Sequence, residues 1–241
     1  MIILNQVYLA RAQEKSSIIS DAIIAEETRT LSFSVDSQYT HLLHQEGGEC
    51  FVMGLIPLAM QTGQDIVYHG PLSERFLHGV NEYLIPAMAA ARSGFRKVSV
   101  SSDRFSARET SGDGIGAVFS NHPSFENILS ENEKEGIYPV THICAIQEAH
   151  GTAAKAMAQK YGTEYVFVNQ NLASLYPELS HDTQTFLNLA GALSLRRGLQ
   201  IMFCCSENGL TEKAPVNKEH KNMDLVLCSF AATDTSRVYL H

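Results

Sequence analysis

From Ile115 to Cys228, short apolar runs alternate with amphipathic stretches long enough for three or four helical turns, and few architectures accept that rhythm. Strands are expected at Ile115–Phe119, Val140–Ile146, Glu164–Val168, Leu199–Cys204 and Asp224–Cys228. Helices are expected over Phe125–Lys134, Ala149–Tyr161 and about Asp182–Arg197. Each strand–helix–strand unit closes as a right-handed crossover, so the strands run parallel and helices cover both faces of the sheet. In a doubly wound sheet of this kind, ligands lie beyond the carboxyl ends of the strands, where strand order reverses. The segments that follow the strands there are Ser120–Ser124, Gln147-Glu148, Asn169–Asn171 and Ser206–Asn208, all rich in amides or hydroxyls.

The first hundred residues read as a smaller mixed α/β module. Ile2–Leu9 and Ser17–Ala25 carry apolar runs, and Thr28–Val35 alternates as a half-buried strand does. Gly47-Gly48 breaks the chain before a helix over Glu49–Met60, where Pro57 predicts a kink or an early end. Asp65–Tyr68 reads as a short strand. Ser73 stands as the N-cap of a helix to about Ala91, and Phe95–Val100 reads as a further strand. The polar, glycine-punctuated run SSDRFSARETSGDG separates the halves, giving an N-terminal module over 1–105 and a parallel-sheet domain over 112–241.

Composition bounds the function. A chain of 241 residues with 44% apolar and 18% charged side chains holds a sizeable core without staples, which excludes a disordered chain. The net charge of −8 argues against nucleic-acid binding or adhesion to an anionic membrane through bulk electrostatics. Cys50, Cys144, Cys204, Cys205 and Cys228 lack metal-ligand spacing and read as reduced thiols of a cytoplasmic protein. No apolar run is long enough to span a bilayer, and the first residues lack the basic lead of a signal peptide.

The segment GIGAVFSNHPSFENIL, followed by YPVTHICAIQ, resembles the core of the N-type ATP pyrophosphatases, or PP-loop ATPases, whose fold is Rossmann-like and adenine nucleotide alpha-hydrolase-like (HUP-like). Their first strand ends in a phosphate loop, SGGxDS. Its glycines let backbone N–H groups approach a pyrophosphate, and the helix behind supplies positive potential. With one gap, Ser120 and Ser124-Phe125 keep the first and last loop positions. Asn121 and His122 stand at the glycine pair, Pro123 follows, and the acidic residue has no counterpart. A bacterial subgroup resembles the chain over residues 28–241, through CFVMGLIPLAMQTGQDIVYHGPLSERFL, FRKVSVSSD and KEHKNMDLVLCSF. That subgroup continues beyond the position of His241 into a cysteine-bearing segment.

The resemblance implies ATP and Mg2+ as cofactors, with a carboxyl or carbonyl substrate activated by adenylation for attack by an amine or ammonia. It points to Ser120, Asn121, His122 and Ser124 as phosphate contacts and to Gln147 and Asn171 as nucleoside contacts. His122 would supply positive charge. His220 and Asp224, four apart before the last expected strand, match subgroup positions and join as pocket candidates. No catalytic side chain is assigned. The alternative is a catalytically inactive nucleotide-fold protein acting as a binding or scaffold partner. The partner in the first case is a small-molecule substrate or nucleotide, and a homodimer would cover apolar helix faces of the first half.

Three other patterns carry less. His41 and His44 have the i, i+3 spacing of a helical metal pair, but they lie among leucines with no HExxH pattern nearby. Gly112, Gly114 and Gly116 precede a strand instead of linking strand to helix, the reverse of a dinucleotide loop. Arg196-Arg197 with Lys213, Lys218 and Lys221 reads equally as an anion patch or as a solvated helix end and loop.

Overall fold

Polar–apolar alternation in the first forty residues builds a meander with one buried face. The computed structural model describes residues 1–106, 112–121, 125–126, 129–130, 139–177, 179–204 and 237–240. Strands β1 (Ile2–Leu4), β2 (Tyr8–Arg11), β3 (Lys15–Ile24) and β4 (Glu27–Asp36) open the chain. Leu31, Phe33 and Val35 of β4 are buried, as the alternation predicts. The 3-10 turn Ser37–Leu42 leads to helix α1 (Glu49–Thr62), then β5 (Ile66–Leu72), α2 (Glu74–Gly79), a π turn at Val80–Leu84, α3 (Ile85–Ala91) and β6 (Val100–Phe105).

Together with the short strand β10 (Asn169–Gln170), these strands form a mixed sheet in the order β10-β4-β3-β1-β5-β6, with β2 also paired to β3. β1 runs antiparallel to β3 and parallel to β5, and β5 runs parallel to β6. The strand expected at Phe95–Val100 starts instead at Val100. Residues before it turn around the end of α1, where Arg96 N–H donates to the Met60 carbonyl at 2.9 Å. The polar segment SSDRF forms the edge of the sheet, where exposure makes apolar alternation unnecessary. Pro57 does not end α1, which runs to Thr62 and closes on Gly63 at φ 68°. Burial of most of that helix outweighs the lost backbone bond.

The second half holds β7 (Gly114–Val118), β8 (His142–Ala145), α4 (Gly151–Tyr161), β9 (Glu164–Phe167), α5 (His181–Ser194), β11 (Leu199–Cys204) and β12 (Arg237–Leu240). Its sheet is parallel throughout, in the order β12-β11-β7-β8-β9. The fold is therefore the mixed α/β, Rossmann-like architecture the sequence implies. The strand expected at Asp224–Cys228 and most of the helix expected at Phe125–Lys134 lie outside the described residues. β12 has no counterpart among the expected strands.

The two sheets share one interior. The larger hydrophobic cluster joins Ile2, Phe33 and Phe51 from the first half to Val118, Cys144, Phe186 and Leu193 from the second. α1 packs on α5 and on β5, while α5 reaches β11. A smaller cluster, including Phe119, Phe125, Ile143 and Phe203, covers the other face of the parallel sheet. Among the described residues, no helix is long and apolar enough to cross a membrane.

Candidate functional site

β7 lies in the middle of the parallel sheet, with β8 on one side and β11 on the other. The chain leaves β7 toward β8 and returns later to β11, so strand order reverses at β7. Its carboxyl end is the topological switch point. Phe119 extends the pairing, its N–H donating to the Cys144 carbonyl at 2.8 Å. Ser120 follows, buried, and Asn121 is exposed at the rim. The structure thus brings Ser120 and Asn121 to the expected edge. His122, Ser124, His220 and Asp224 lie outside the described residues.

Gln147 stands at the same edge. The register pairing Val118 with Cys144 sets Ser120 level with Ile146, one residue before Gln147. The Gln147 side-chain nitrogen is buried and has no hydrogen-bond partner among the described residues. A turn behind it, His150 N–H donates to the Gln147 carbonyl at 3.0 Å and opens α4. The His150 ring is buried and meets Phe119 edge-on at 5.7 Å, and Phe119 meets Phe125 at 5.1 Å. A buried aromatic cluster therefore packs beneath this edge.

Asn171 has a different position. Its side-chain oxygen accepts from Ser32 N–H at 2.9 Å, and its nitrogen donates to the Thr30 carbonyl at 2.8 Å. The amide imitates a strand residue and extends the β10–β4 pairing. Both ends of that side chain are thus engaged by the first sheet.

A buried charged network lies elsewhere. Arg196 Nη2 donates to Glu49 Oε2 at 3.0 Å and to His44 Nε2, and Glu49 Oε1 accepts from Ser73 N–H at 2.8 Å. Burial first, then the Arg196 and Arg197 charges, hold His44 down to about 2, so it is a neutral acceptor. His41, on the 3-10 turn, is exposed while His44 is buried, so the two rings do not form the helical pair that their spacing resembles. Among the described residues, no group of three or more His, Cys, Asp or Glu converges. Gly47 fits the network for a steric reason: a Cβ there would overlap Glu49 Oε2, Arg196 Nη2 and His44 Nε2. The sequence shows Gly47-Gly48 only as a break. The close approach that requires the first glycine involves Arg196, far along the chain.

No family model, curated protein or solved structure matches the chain. Its site must be argued from its own chemistry. At the switch point that chemistry is a hydroxyl, an exposed amide, a buried aromatic cluster and an amide donor without a partner among the described residues. These groups can bind and orient a polar ligand. Cys144, in β8 beneath the edge, is buried and its thiol is pushed up to about 12, so it is inert.

Proposed function

We propose that the chain is a divergent ATP-pyrophosphatase-type protein that binds a nucleotide over the carboxyl ends of β7 and β8. The phosphates would lie along Ser120, Asn121, His122 and Ser124, with Mg2+ neutralising their charge, and the nucleoside would lie against Gln147. Adenylation of a carboxyl or carbonyl group and its capture by an amine or ammonia would follow at that edge. The observation that supports this reading is the Gln147 amide nitrogen, buried near Ser120 at the switch point and without a partner among the described residues. Leaving a buried donor unpaired costs about 1–3 kcal/mol, and a ligand acceptor would remove that cost.

Thermal unfolding with Mg-ATP, Mg-AMP and no ligand tests the reading. Ligand at ~100 times its dissociation constant should add about 2.7 kcal/mol of stability. Gln147→Leu should raise the stability of the ligand-free protein by about 1 kcal/mol, because the orphaned donor is gone, while weakening nucleotide binding about tenfold or more. No response to any nucleotide overturns the reading and leaves the inactive-scaffold alternative. Pyrophosphate release, measured with candidate acyl acceptors, separates an enzyme from a binder.

A further inference from the structure

A cleft of about 570 Å³ opens at the other edge of the parallel sheet, at the amino ends of β7 and β11. Two guanidinium groups line it from opposite ends of the chain: Arg11, which ends β2, and Arg197, just before β11. Neither is in an ion pair among the described residues. In a chain of net charge −8, the lining holds no carboxylate. The nearest in sequence, Glu14, Asp36 and Glu46, are exposed and outside it. Gln13, Gln38 and Gln45 add three amides.

The floor asks for a complementary group. Thr40 Oγ1 donates to the Ser37 carbonyl at 2.6 Å, which commits its only proton. In the 2.6 Å contact between Ser16 Oγ and Thr40 Oγ1, Ser16 is therefore the donor, and its own oxygen is left as an acceptor. Cationic walls and an acceptor floor suit one molecule carrying both an anionic group and hydroxyls. The volume falls in the range of small-molecule sites, ~300–1,000 Å³, and the lining holds no Phe, Tyr or Trp; its one ring is His41, whose Nδ1 lies 3.1 Å from the Gln38 carbonyl oxygen.

Its walls are fixed before any ligand arrives. Ala12 N–H donates to the Lys15 carbonyl at 2.8 Å, Ser37 N–H to the Glu14 carbonyl at 2.9 Å, and Ser37 Oγ to the carbonyls of Ala12 and Gln13 at 3.2 Å each. The Arg197 carbonyl accepts from Gly112 N–H at 2.6 Å, which pins the second arginine's turn to the start of the parallel sheet. A backbone held in this way carries two guanidinium groups, and their planar forks favour bidentate binding of phosphate oxygens.

We propose that this cleft binds a phosphorylated polyol, with the phosphate between Arg11 and Arg197 and a ligand hydroxyl donating to Ser16 Oγ. The site is separate from the switch-point edge and stands without it. Calorimetric titration at constant ionic strength with glucose 6-phosphate, inorganic phosphate and citrate tests it. Glucose 6-phosphate should bind saturably and more tightly than inorganic phosphate or citrate. Arg11→Ala and Arg197→Ala should each weaken it tenfold or more, while Gln147→Leu leaves it unchanged. Both arginines are exposed, so the variants should keep the wild-type circular dichroism. Arg197→Lys, which keeps the charge but loses the fork, provides a second variant and should also bind more weakly. No saturable binding of glucose 6-phosphate, citrate binding as tightly, or affinity that survives both alanine changes overturns the proposal.

Discussion

At the scale of single residues, the His44–Glu49–Arg196 network makes the sharpest demands. All three side chains are buried, and removing one partner strands a charge in the interior. Glu49→Gln or Arg196→Met should therefore cost about 3–5 kcal/mol, read as a fall in the urea midpoint. Gly47→Ala should fail in the same assay, because its Cβ meets the polar atoms of the network. His44 adds a pH dependence. Its ring is held neutral in the folded protein, down to about 2, whereas in the unfolded chain it takes a proton near the ordinary histidine value of ~6.5. The unfolded state binds more protons between those values, so stability is complete above about pH 6.5 and falls as the pH drops below it, by at most about 1.4 kcal/mol per pH unit. Denaturation at pH 7.5 and 5.5 should show that fall. His44→Gln, which keeps an acceptor for Arg196 but cannot titrate, should flatten it. An equal slope in both proteins would assign the pH dependence to other groups.

At the scale of elements, the pattern in the sequence was readable where one face of a strand or helix is buried and misleading where an edge is exposed. β4 and β11 lie where the apolar alternation and the continuous apolar run place them, because each packs a defined face into a core. Ser73 was legible as a cap because its job is local: it accepts from Phe76 N–H at 3.3 Å. β6 was displaced because an edge strand of Ser, Asp and Arg needs no buried face. The β3–β4 hairpin turns through Ala25 and Glu26, both left-handed, at φ 51° and 69°. Neither residue marks a turn in sequence, since the fitting pair is Asn-Gly. Replacing Ala25 by Asn and Glu26 by Gly should therefore stabilise the protein by about 1 kcal/mol, seen as a rise in melting temperature with unchanged circular dichroism. Asn171→Ala should act in the opposite direction, by about 1–2 kcal/mol, and release the Ser32 amide to hydrogen exchange, because two backbone groups of β4 lose their partner.

At the scale of the molecule, the two edges of the parallel sheet differ in how visible they were. The switch-point edge follows from strand order alone, so Ser120 and Gln147 could be named from the rhythm of strands and helices. The cleft draws Arg11 and Arg197 from positions 186 residues apart, with no spacing to reveal them; the His44 N–H bond to the Ser194 carbonyl and the Arg196–Glu49 pair hold the second arginine's segment against the first half. The same long-range closure bears on how the protein unfolds. The polar run after Val100 suggests halves that fold separately, but the main core takes side chains from both, α1 lies on α5, and β10 crosses into the first sheet. Residues 1–105 alone would leave one face of α1 uncovered and lose the strand paired to β4. That exposes apolar surface at a cost of about 25 cal/mol per Å² with nothing to replace it. Urea unfolding of the whole chain should then give one transition, coincident by far-ultraviolet circular dichroism and by tyrosine emission, which reports on both halves through Tyr68 and Tyr176. The isolated 1–105 fragment should show no cooperative transition. Two separated transitions in the whole chain, or a fragment that melts cooperatively, would mean that the shared interior couples the halves too weakly to make them one folding unit.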